Sequence, residues 1–388
     1  MDETWIRLIE RIHDARRRMV WNVTGGGTSA LSALLSVPGG SRTLLEGLIP
    51  YSAAALTRCL GRAPEQACSE TTALELAAVA CVRCAQLDES PLGLGIGATA
   101  ALTTDRERRG ANRAFVATHS ARRTSCDEIL LEKGARNRAE EEAVVAMAIL
   151  RAAAAACGVT DLPELPLRGG DERRTVETVP PRVVREVWLG NAPWAWTTGE
   201  SAGEGKAAWL PAPPRHPAGI LSGAFNPVHA GHLQLRQAAE ELLGGPVAFE
   251  LSVVNVDKPP LDYLTIERRA AALEGHPLVL TRAATFAEKA VLFPGATFVV
   301  GWDTAIRVGD PKYYGGDAAR ARAALESLRG AGCHFLVAGR LVGGVFQDAL
   351  AFRAPEGFQD LFSPIPRALF RVDVSSTELR RNALSEPE

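Results

Sequence analysis

The sequence lacks long apolar runs and lacks an excess of charge of either sign. Its 388 residues contain no stretch of about 18 apolar residues, the length that a membrane-spanning helix needs, and charged residues begin at Asp2. The 43 Lys and Arg residues nearly balance the 45 Asp and Glu residues, and a net charge of −2 gives no general attraction to nucleic acid. We therefore expect no membrane segment, no signal peptide and no nucleic-acid partner.

Cysteine is sparse, and its arrangement does not indicate a disulfide framework. The seven cysteines are odd in number and scattered, which is typical of a reducing compartment. Cys81 and Cys84 stand three residues apart in a helical pattern, but no second pair accompanies them. We interpret them as two thiols on a helix face, and we predict no metal site and a cytoplasmic location.

Length and composition indicate two domains. A chain of this length with 46% hydrophobic residues can form two cores. Prolines and tryptophans are concentrated in residues 161–216; the prolines are typical of a linker, whereas the tryptophans indicate that part of it packs on a domain. The predicted division is a domain over 1–160, a linker over 161–216 and a domain over 217–388, and a homo-oligomer remains possible.

The most informative segment covers residues 219–232, an apolar run followed by a Gly-Pro turn and two histidines. Gly223 allows the backbone to approach a ligand closely, and Pro227 stiffens the turn. The amphipathic helix that follows directs free N–H groups and its positive dipole end to the same place. This pattern predicts a phosphate site with hydrogen bonds from His229 and His232; two histidines on a surface turn are the alternative.

A second segment, residues 374–381, places hydroxyl groups before a helical start that carries arginines. Ser375 can cap this helix, and Arg380 can offer a planar fork of donors to a polyphosphate. Alone, the segment also fits an ordinary capped helix. Together with the first segment it predicts a nucleoside triphosphate site.

The two segments resemble signatures of the nucleotidylyltransferase superfamily, H-x-G-H at 229–232 and S-x-T-x-x-R at 375–380. The G-x-F-N-P-x-H opening, the V-S-S-T-E-L-R ending and the segment 298–303 are similar to the nicotinate/nicotinamide mononucleotide adenylyltransferases. In that family a strand ending in Gly-x-Asp lies beside the nucleotide. Asn226 departs from the pattern, because many members have Asp there. Residues 255–260 match the mononucleotide-binding loop only loosely.

This resemblance implies a reaction without an enzyme nucleophile. The 5′-phosphate of a pyridine mononucleotide attacks the α-phosphorus of ATP, giving a dinucleotide and pyrophosphate, and positioning and charge stabilisation carry such a transfer. Mg²⁺ is expected to arrive with ATP, held through the ATP phosphates and water. The implied site residues are catalytic His229, His232 and Arg380; nucleotide-binding Gly223, Ala224, Phe225, Gly231, Gly301, Asp303, Ser375 and Thr377; and mononucleotide-binding Lys258 and Arg268.

The residue pattern of 217–388 also predicts a fold without the resemblance. Apolar strand candidates alternate with helical patterns, which indicates an α/β fold with a Rossmann-like, doubly wound parallel sheet. In such sheets the ligand crevice lies at the carboxyl ends of the strands. The predicted strands are 219–223, 247–254, 278–280, 297–300, 334–338 and 368–372, and the predicted helices are 232–243, 265–273 and 317–328.

Three functions remain open at this point. The first is an adenylyltransferase that makes NAD or its deamido form. The second is a related transferase that uses CTP or another phosphorylated acceptor, since H-x-G-H is shared across the superfamily. The third is a non-catalytic pyridine-nucleotide sensor, which the intact His229, His232 and Arg380 disfavour.

Residues 8–158 resemble a different family, the carboxyl-terminal domain of the competence-damage-inducible proteins, which hydrolyses the amide of nicotinamide mononucleotide. The motifs that carry this resemblance follow one another in the family's order: 21–27, 37–41, 50–52, 69–70 and 93–97. The resemblance implies an α/β domain of the deamidase type.

The catalytic residues of that family are missing from this sequence. Asn22 stands in place of the serine nucleophile, and Leu56 in place of the lysine, although Tyr51 is retained. Since neither residue can supply an activated hydroxyl or a base, we predict that amidohydrolysis is lost. Hydroxyls that could substitute are those of Thr24, Thr28 and Ser29. A pocket formed by the glycines of 25–27 and Tyr51 can still be expected to hold a mononucleotide.

Overall fold

A computed structural model describes residues 2–88, 93–105, 109–200, 207–213, 215–256, 260–342, 345–347 and 356–370. The chain divides into two compact units, Met1–Pro180 and Pro181–Glu388. Each unit has helices packed on a mixed sheet that contains parallel strands, so the expected two-domain α/β fold is confirmed. Over the described residues, no helix is both long and apolar enough to cross a membrane.

The first unit is a six-stranded sheet in the order β2-β1-β3-β4-β5-β6. The three strands β2, β1 and β3 are parallel, and the remaining pairs are antiparallel. Its elements are α1 (Glu3–Asp14), β1 (Met19–Thr24), α2 (Ser29–Ser36), β2 (Leu44–Leu48), α3 (Ala53–Leu60), α4 (Glu70–Asp88), β3 (Leu94–Ala101), β4 (Asn112–His119), β5 (Thr124–Leu131), α5 (Arg138–Ala156) and β6 (Glu172–Thr178).

Helix α4 lies unusually close to strand β3, and the glycines of β3 make this possible. A Cβ at Gly95 would lie 1.9 Å from the carbonyl oxygen of Ala77, and one at Gly97 would lie 2.3 Å from that of Ala73. Any larger residue would push the helix away from the sheet. The glycine pattern of 93–97 is therefore explained by packing between helix and sheet.

The second unit is a seven-stranded sheet in the order β15-β12-β11-β8-β9-β10-β7, in which only the β10–β7 pair is antiparallel. Its elements are α6 (Arg182–Leu189), β7 (Trp194–Thr197), β8 (Gly219–Ser222), α7 (Ala230–Leu243), β9 (Val247–Ser252), α8 (Tyr263–Ala271), β10 (Leu278–Thr281), α9 (Phe286–Leu292), β11 (Thr297–Gly301), α10 (Trp302–Val308), α11 (Ala318–Gly330), β12 (His334–Ala338), β13 (Arg340–Val342), β14 (Val345–Gln347) and β15 (Phe362–Pro364).

The strand order of this sheet reverses at β8. From β8 the chain adds β9 and β10 on one side, and it then returns to add β11, β12 and β15 on the other. The carboxyl ends of β8, β9 and β11 consequently surround a topological switch point, the usual place for a ligand in a sheet of this kind.

Two predicted segments differ from the structure. Residues 161–216 do not form a separate linker, because they supply β6 to the first sheet and α6 and β7 to the second. Trp194 of β7 stacks on Phe293 at 5.7 Å, and Trp196 is buried, so the tryptophans belong to the second core. The prediction of a strand over 368–372 is wrong for residues 368–370, which are the part of it that the structure describes. Residues 367–369 form a turn, and 362–364 pair with β12 instead.

Candidate functional site

The turn between β8 and α7 has a constrained backbone. Phe225 adopts φ 47°, a left-handed conformation that is rare for a bulky residue, and the Asn226–Pro227 peptide is cis. The Phe225 ring is buried against Phe249 at 5.1 Å and against His232 at 5.2 Å. A Cβ at Gly223 would lie 2.7 Å from this ring. Gly223 is therefore required by packing inside the turn, whereas the sequence pattern predicts a role in the close approach of a ligand.

His229 and His232 form a stacked pair at the start of α7. Their ring centroids are 3.8 Å apart with planes inclined by 27°. The backbone N–H of His229 donates to Nδ1 of His232 over 3.3 Å. Burial lowers the pKa of His229, and burial, with a smaller effect of His229, lowers the pKa of His232 to about 4.

The contact with His229 also defines the tautomer of His232. At neutral pH the His232 ring is uncharged, and its Nδ1 accepts a hydrogen bond from the backbone. The ring proton must therefore be on Nε2. The arrangement provides a neutral N–H donor at the amino end of a 14-residue helix, whose first turn also contains the buried Gly231.

A cavity of about 400 Å³ lies at the carboxyl ends of the strands around the switch point. The turn after β8 contributes Gly223, Ala224 and Asn226 to its wall, and the same turn leads directly to His229. The other lining residues used below are Glu250, Arg269, Phe286, Lys289, Thr304, Arg307 and Tyr313.

The most buried part of the cavity wall, which we call its closed end, contains the ion pair of Glu250 and Lys289. Nζ of Lys289 on α9 donates to Oε2 of Glu250 on β9 over 2.6 Å. The hydroxyl of Thr281 on β10 donates to the other carboxylate oxygen over 2.5 Å. Glu250 has no exposed surface, and Lys289 is 7% exposed. The ammonium also lies 4.9 Å from the centroid of the Phe286 ring.

The open end of the cavity carries two arginines. Arg269 on α8 is half-buried and donates from Nη1 to the carbonyl oxygen of Ala224 over 2.8 Å, which fixes it beside the turn. Arg307 on α10 is exposed and lies 6.0 Å from the ring of Tyr313. Among the described lining residues, three side chains are thus cationic and one is a carboxylate, which favours an anionic ligand.

The structure places the predicted site residues unevenly. Gly223 and Ala224 line the cavity, whereas Phe225, His229, Gly231 and His232 lie on the same turn and helix start but not in the cavity wall. Arg268 does not line it either: its guanidinium contacts Thr265 at 3.2 Å, and the neighbouring Arg269 faces the cavity instead. The predicted residues that lie outside the described part of the chain are Lys258, Ser375, Thr377 and Arg380.

Gly301 is the last residue of strand β11, next to β8, and Asp303 follows in α10, but neither lines the cavity. Gly301 caps α10 with an ordinary extended backbone, and Asp303 in the first turn of that helix forms an ion pair with Arg340. Their neighbours Thr304 and Arg307 reach the cavity wall.

In the first unit, the residues at the positions of the deamidase nucleophile and base are structural. Asn22 is buried on β1, and its Nδ2 donates to the carbonyl oxygen of Leu76 on α4 over 3.0 Å. Leu56 is buried in α3, whereas Tyr51 is exposed. The hydroxyl of Thr24 donates to the carbonyl oxygen of Pro50 over 3.0 Å. None of these groups has the environment of an activated nucleophile.

The turn before α2 is filled by a carboxylate from the chain itself. Glu142 of α5 accepts hydrogen bonds from the backbone N–H groups of Gly27 at 2.7 Å and Ser29 at 3.1 Å, and from the hydroxyl of Thr28 at 3.3 Å. Backbone N–H groups at the amino end of a helix are general donors for anions. Glu142 therefore already uses donors of this turn, in the wall of a cavity that Thr28, Ser29 and Arg138 also line.

No model of a known protein family matches the chain, and no curated protein matches its sequence. Solved structures of competence/damage-inducible proteins are similar to part of it. CihA from Agrobacterium tumefaciens is 19% identical over 41% of this chain and 94% of its own, with a TM-score of 0.33. The protein from Enterobacter asburiae is 20% identical over 40% of this chain and 98% of its own, also with a TM-score of 0.33. The matches concern about 40% of the chain, and they belong to the family that residues 8–158 resemble.

Proposed function

We propose that the second unit transfers AMP from ATP to a pyridine mononucleotide, releasing pyrophosphate. The observation that carries this proposal is the neutral His229–His232 pair at the amino end of α7, on the turn that also lines the cavity. A donor at that place meets the negative charge that develops on the α-phosphate during transfer.

His232 acts as a hydrogen-bond donor rather than as an acid. Because its pKa is lowered to about 4, the ring is neutral at physiological pH and does not need to gain a proton to donate from Nε2. Attack by a phosphate oxygen needs no base, since the mononucleotide phosphate is already ionised. Positioning and charge stabilisation therefore account for the rate.

The cavity supplies the acceptor site in this proposal. Its volume of about 400 Å³ and its mixture of apolar, aromatic and polar groups suit a small ligand. Arg269 and Arg307 at the open end can bind the 5′-phosphate, and the rings of Tyr313 and Phe286 can flank the pyridine. The phosphate would then lie next to Arg269, which is hydrogen-bonded to Ala224 of the turn.

Mg²⁺ belongs to the ATP in this proposal. Among the described residues, no group of three His, Cys, Asp or Glu side chains is arranged to hold a metal ion. The triphosphate and water would be its ligands. Ser375, Thr377 and Arg380 remain the residues proposed for the outer phosphates, on the basis of the sequence.

Pyrophosphate release tests the proposal. The full chain is incubated with Mg²⁺, with ATP or CTP, and with nicotinamide mononucleotide, nicotinate mononucleotide or phosphopantetheine. We expect release with ATP and a pyridine mononucleotide, and a loss of about a hundredfold or more in kcat for His232→Ala with an unchanged circular dichroism spectrum. The matched control is His334→Ala, which removes an exposed histidine from β12. Turnover that needs CTP or phosphopantetheine, or that survives His232→Ala, would contradict the proposal.

A further inference from the structure

The buried ion pair Glu250–Lys289 is not explained by a gain in stability over a pair of apolar residues. Strand β9 is apolar on either side of Glu250, and an apolar residue of similar size would fill this position without a charge. Removing two charges from water costs several kcal/mol per ion, and the attraction between them often does no more than offset that cost. The position of the pair in the wall of the cavity indicates a different role.

Lys289 has donors beyond the one that Glu250 uses. An ammonium carries three N–H groups, and Glu250 is the hydrogen-bonding partner that Lys289 has within the described residues. Glu250 in turn accepts from both Lys289 and Thr281, so its two oxygens are fixed. A ligand in the cavity therefore meets a rigid ammonium whose charge is already balanced by a carboxylate behind it.

We infer that Lys289, positioned by Glu250, selects the amide over the acid form of the pyridine mononucleotide. This inference rests on the proposed function, which puts the phosphate at Arg269 and Arg307 and hence the ring substituent at the closed end. The oxygen of a carboxamide accepts a hydrogen bond from Nζ of Lys289 and leaves the charges balanced. A carboxylate in its place would bring a second negative charge to one ammonium that is only 7% exposed and already paired with Glu250.

The phosphate and the ring substituent thus meet different charges. At the open end Arg269 and Arg307 have no acidic side chain opposite them among the described lining residues, so they attract a dianionic phosphate. At the closed end the described lining residues Lys289 and Glu250 contribute one charge of each sign. A ligand with one charged end and one neutral polar end fits this distribution.

The test measures both forms of the mononucleotide on the full chain, by calorimetry without ATP and by kcat/KM with Mg²⁺ and ATP. We expect the wild-type protein to bind nicotinamide mononucleotide at least tenfold more tightly than nicotinate mononucleotide. In Glu250→Gln, Lys289 is no longer neutralised and can pair with a ligand carboxylate. The preference for the amide over the acid, measured as the ratio of the two binding constants and as the ratio of the two kcat/KM values, is expected to fall by tenfold or more.

Two variants separate selection from stability. Glu326→Gln neutralises a carboxylate in an exposed ion pair with Arg322 on α11 and should leave the ratio unchanged. The double variant Glu250→Gln/Lys289→Met removes both charges together, and we expect its ratio to approach one. A purely structural pair would change the melting temperature of these variants but not the ratio.

Outcomes for the two ideas can be told apart. Equal or tighter binding of the acid by the wild-type protein, or an unchanged ratio in Glu250→Gln, would overturn the selection by Lys289. Tight binding of the amide without pyrophosphate release would contradict the proposed transfer and leave the selection standing. If neither mononucleotide binds, both the proposed transfer and the selection by Lys289 are overturned.

Discussion

His232 illustrates how burial decides the chemistry of a single residue. Its imidazole stacks on His229 and contacts the edge of Phe225, so a positive charge there would lack water and face a second histidine. The lowered pKa follows from this environment, and the contact with the His229 backbone then selects the tautomer. Phe225 adopts a backbone conformation that is rare for phenylalanine. In this conformation its ring packs against His232 and helps to bury it.

The lowered pKa of His232 predicts a pH dependence of stability. The folded chain binds a proton at His232 only near pH 4, whereas the unfolded chain binds one near pH 6.5. Between these values the unfolded state holds more protons, so the free energy of unfolding falls as the pH drops through this window. For this residue the loss is on the order of 3 kcal/mol, and it is complete below about pH 4.

Urea unfolding of the full chain at pH 7, 5.5 and 4.5 measures this effect. The comparison is His232→Gln, because a glutamine at this position keeps an acceptor for the His229 N–H but does not titrate in this range. Titratable groups that do not contact residue 232 contribute equally to both proteins. Stability that falls in parallel for the two proteins would show that His232 is not buried as described.

At the residue scale, local spacing predicted the histidine pair but could not predict the Glu250–Lys289 pair. His229 and His232 are brought together by one turn of helix. Glu250 and Lys289 are 39 residues apart and meet only because β9 and α9 pack together. The one available signal was a single acidic residue inside an apolar strand. The choice between Arg268 and Arg269 likewise depends on the rotation of α8, which the sequence left undetermined.

Strand β6 is the element that most changes the predicted domain boundary. It pairs with β5 from Thr124 opposite Thr178 to Leu130 opposite Glu172. The segment just before it contributes Asp171, whose carboxylate lies 2.7 Å from Nη2 of Arg136, and both side chains are almost fully buried. A fragment that ends at residue 160 would leave Arg136 without this partner.

We therefore predict that residues 1–180 fold as a fragment and that residues 1–160 are much less stable. Loss of one partner from a buried ion pair typically costs 3–5 kcal/mol, roughly, and the unpaired edge of β5 adds to this. Thermal melting of the two fragments measures the difference, and Asp171→Asn in the longer fragment isolates the ion pair. Equal melting temperatures for the fragments would restore the boundary at 160.

The strands of the second unit that the sequence predicts are stabilised differently from the strands that it does not predict. Strands β8, β9, β10, β11 and β12 are central and apolar, so their composition alone predicts them. Strands β6, β7 and β15 lie at sheet edges, are short or largely polar, and adopt their conformation by pairing with a neighbour. The tryptophans of β7 indicated packing on a domain, but the surrounding prolines concealed the strand.

On the scale of the whole molecule, each unit has a glycine-containing turn after its first parallel strand, and the two turns differ in what occupies them. In the second unit the turn leads to the histidine pair and contributes to a cavity. In the first unit the corresponding donors bind Glu142. A helix amino end that already holds a carboxylate has little capacity for another anion.

Because the donors of the turn in the first unit already bind Glu142, we predict that the chain releases no ammonia from nicotinamide mononucleotide. Asn22 is an amide tied to the backbone of α4, Leu56 is buried and apolar, and the Ser29 hydroxyl lies 3.4 Å from Glu142 in a turn whose donors are in use. The assay follows ammonia from the full chain with millimolar mononucleotide and no ATP, so that transfer in the second unit cannot consume the substrate. Asp14→Asn serves as a control for an exposed carboxylate of the same unit. Ammonia formation that is lost in Glu142→Gln or Ser29→Ala, but kept in the control, would show that these two residues have replaced the missing serine and lysine as nucleophile and base.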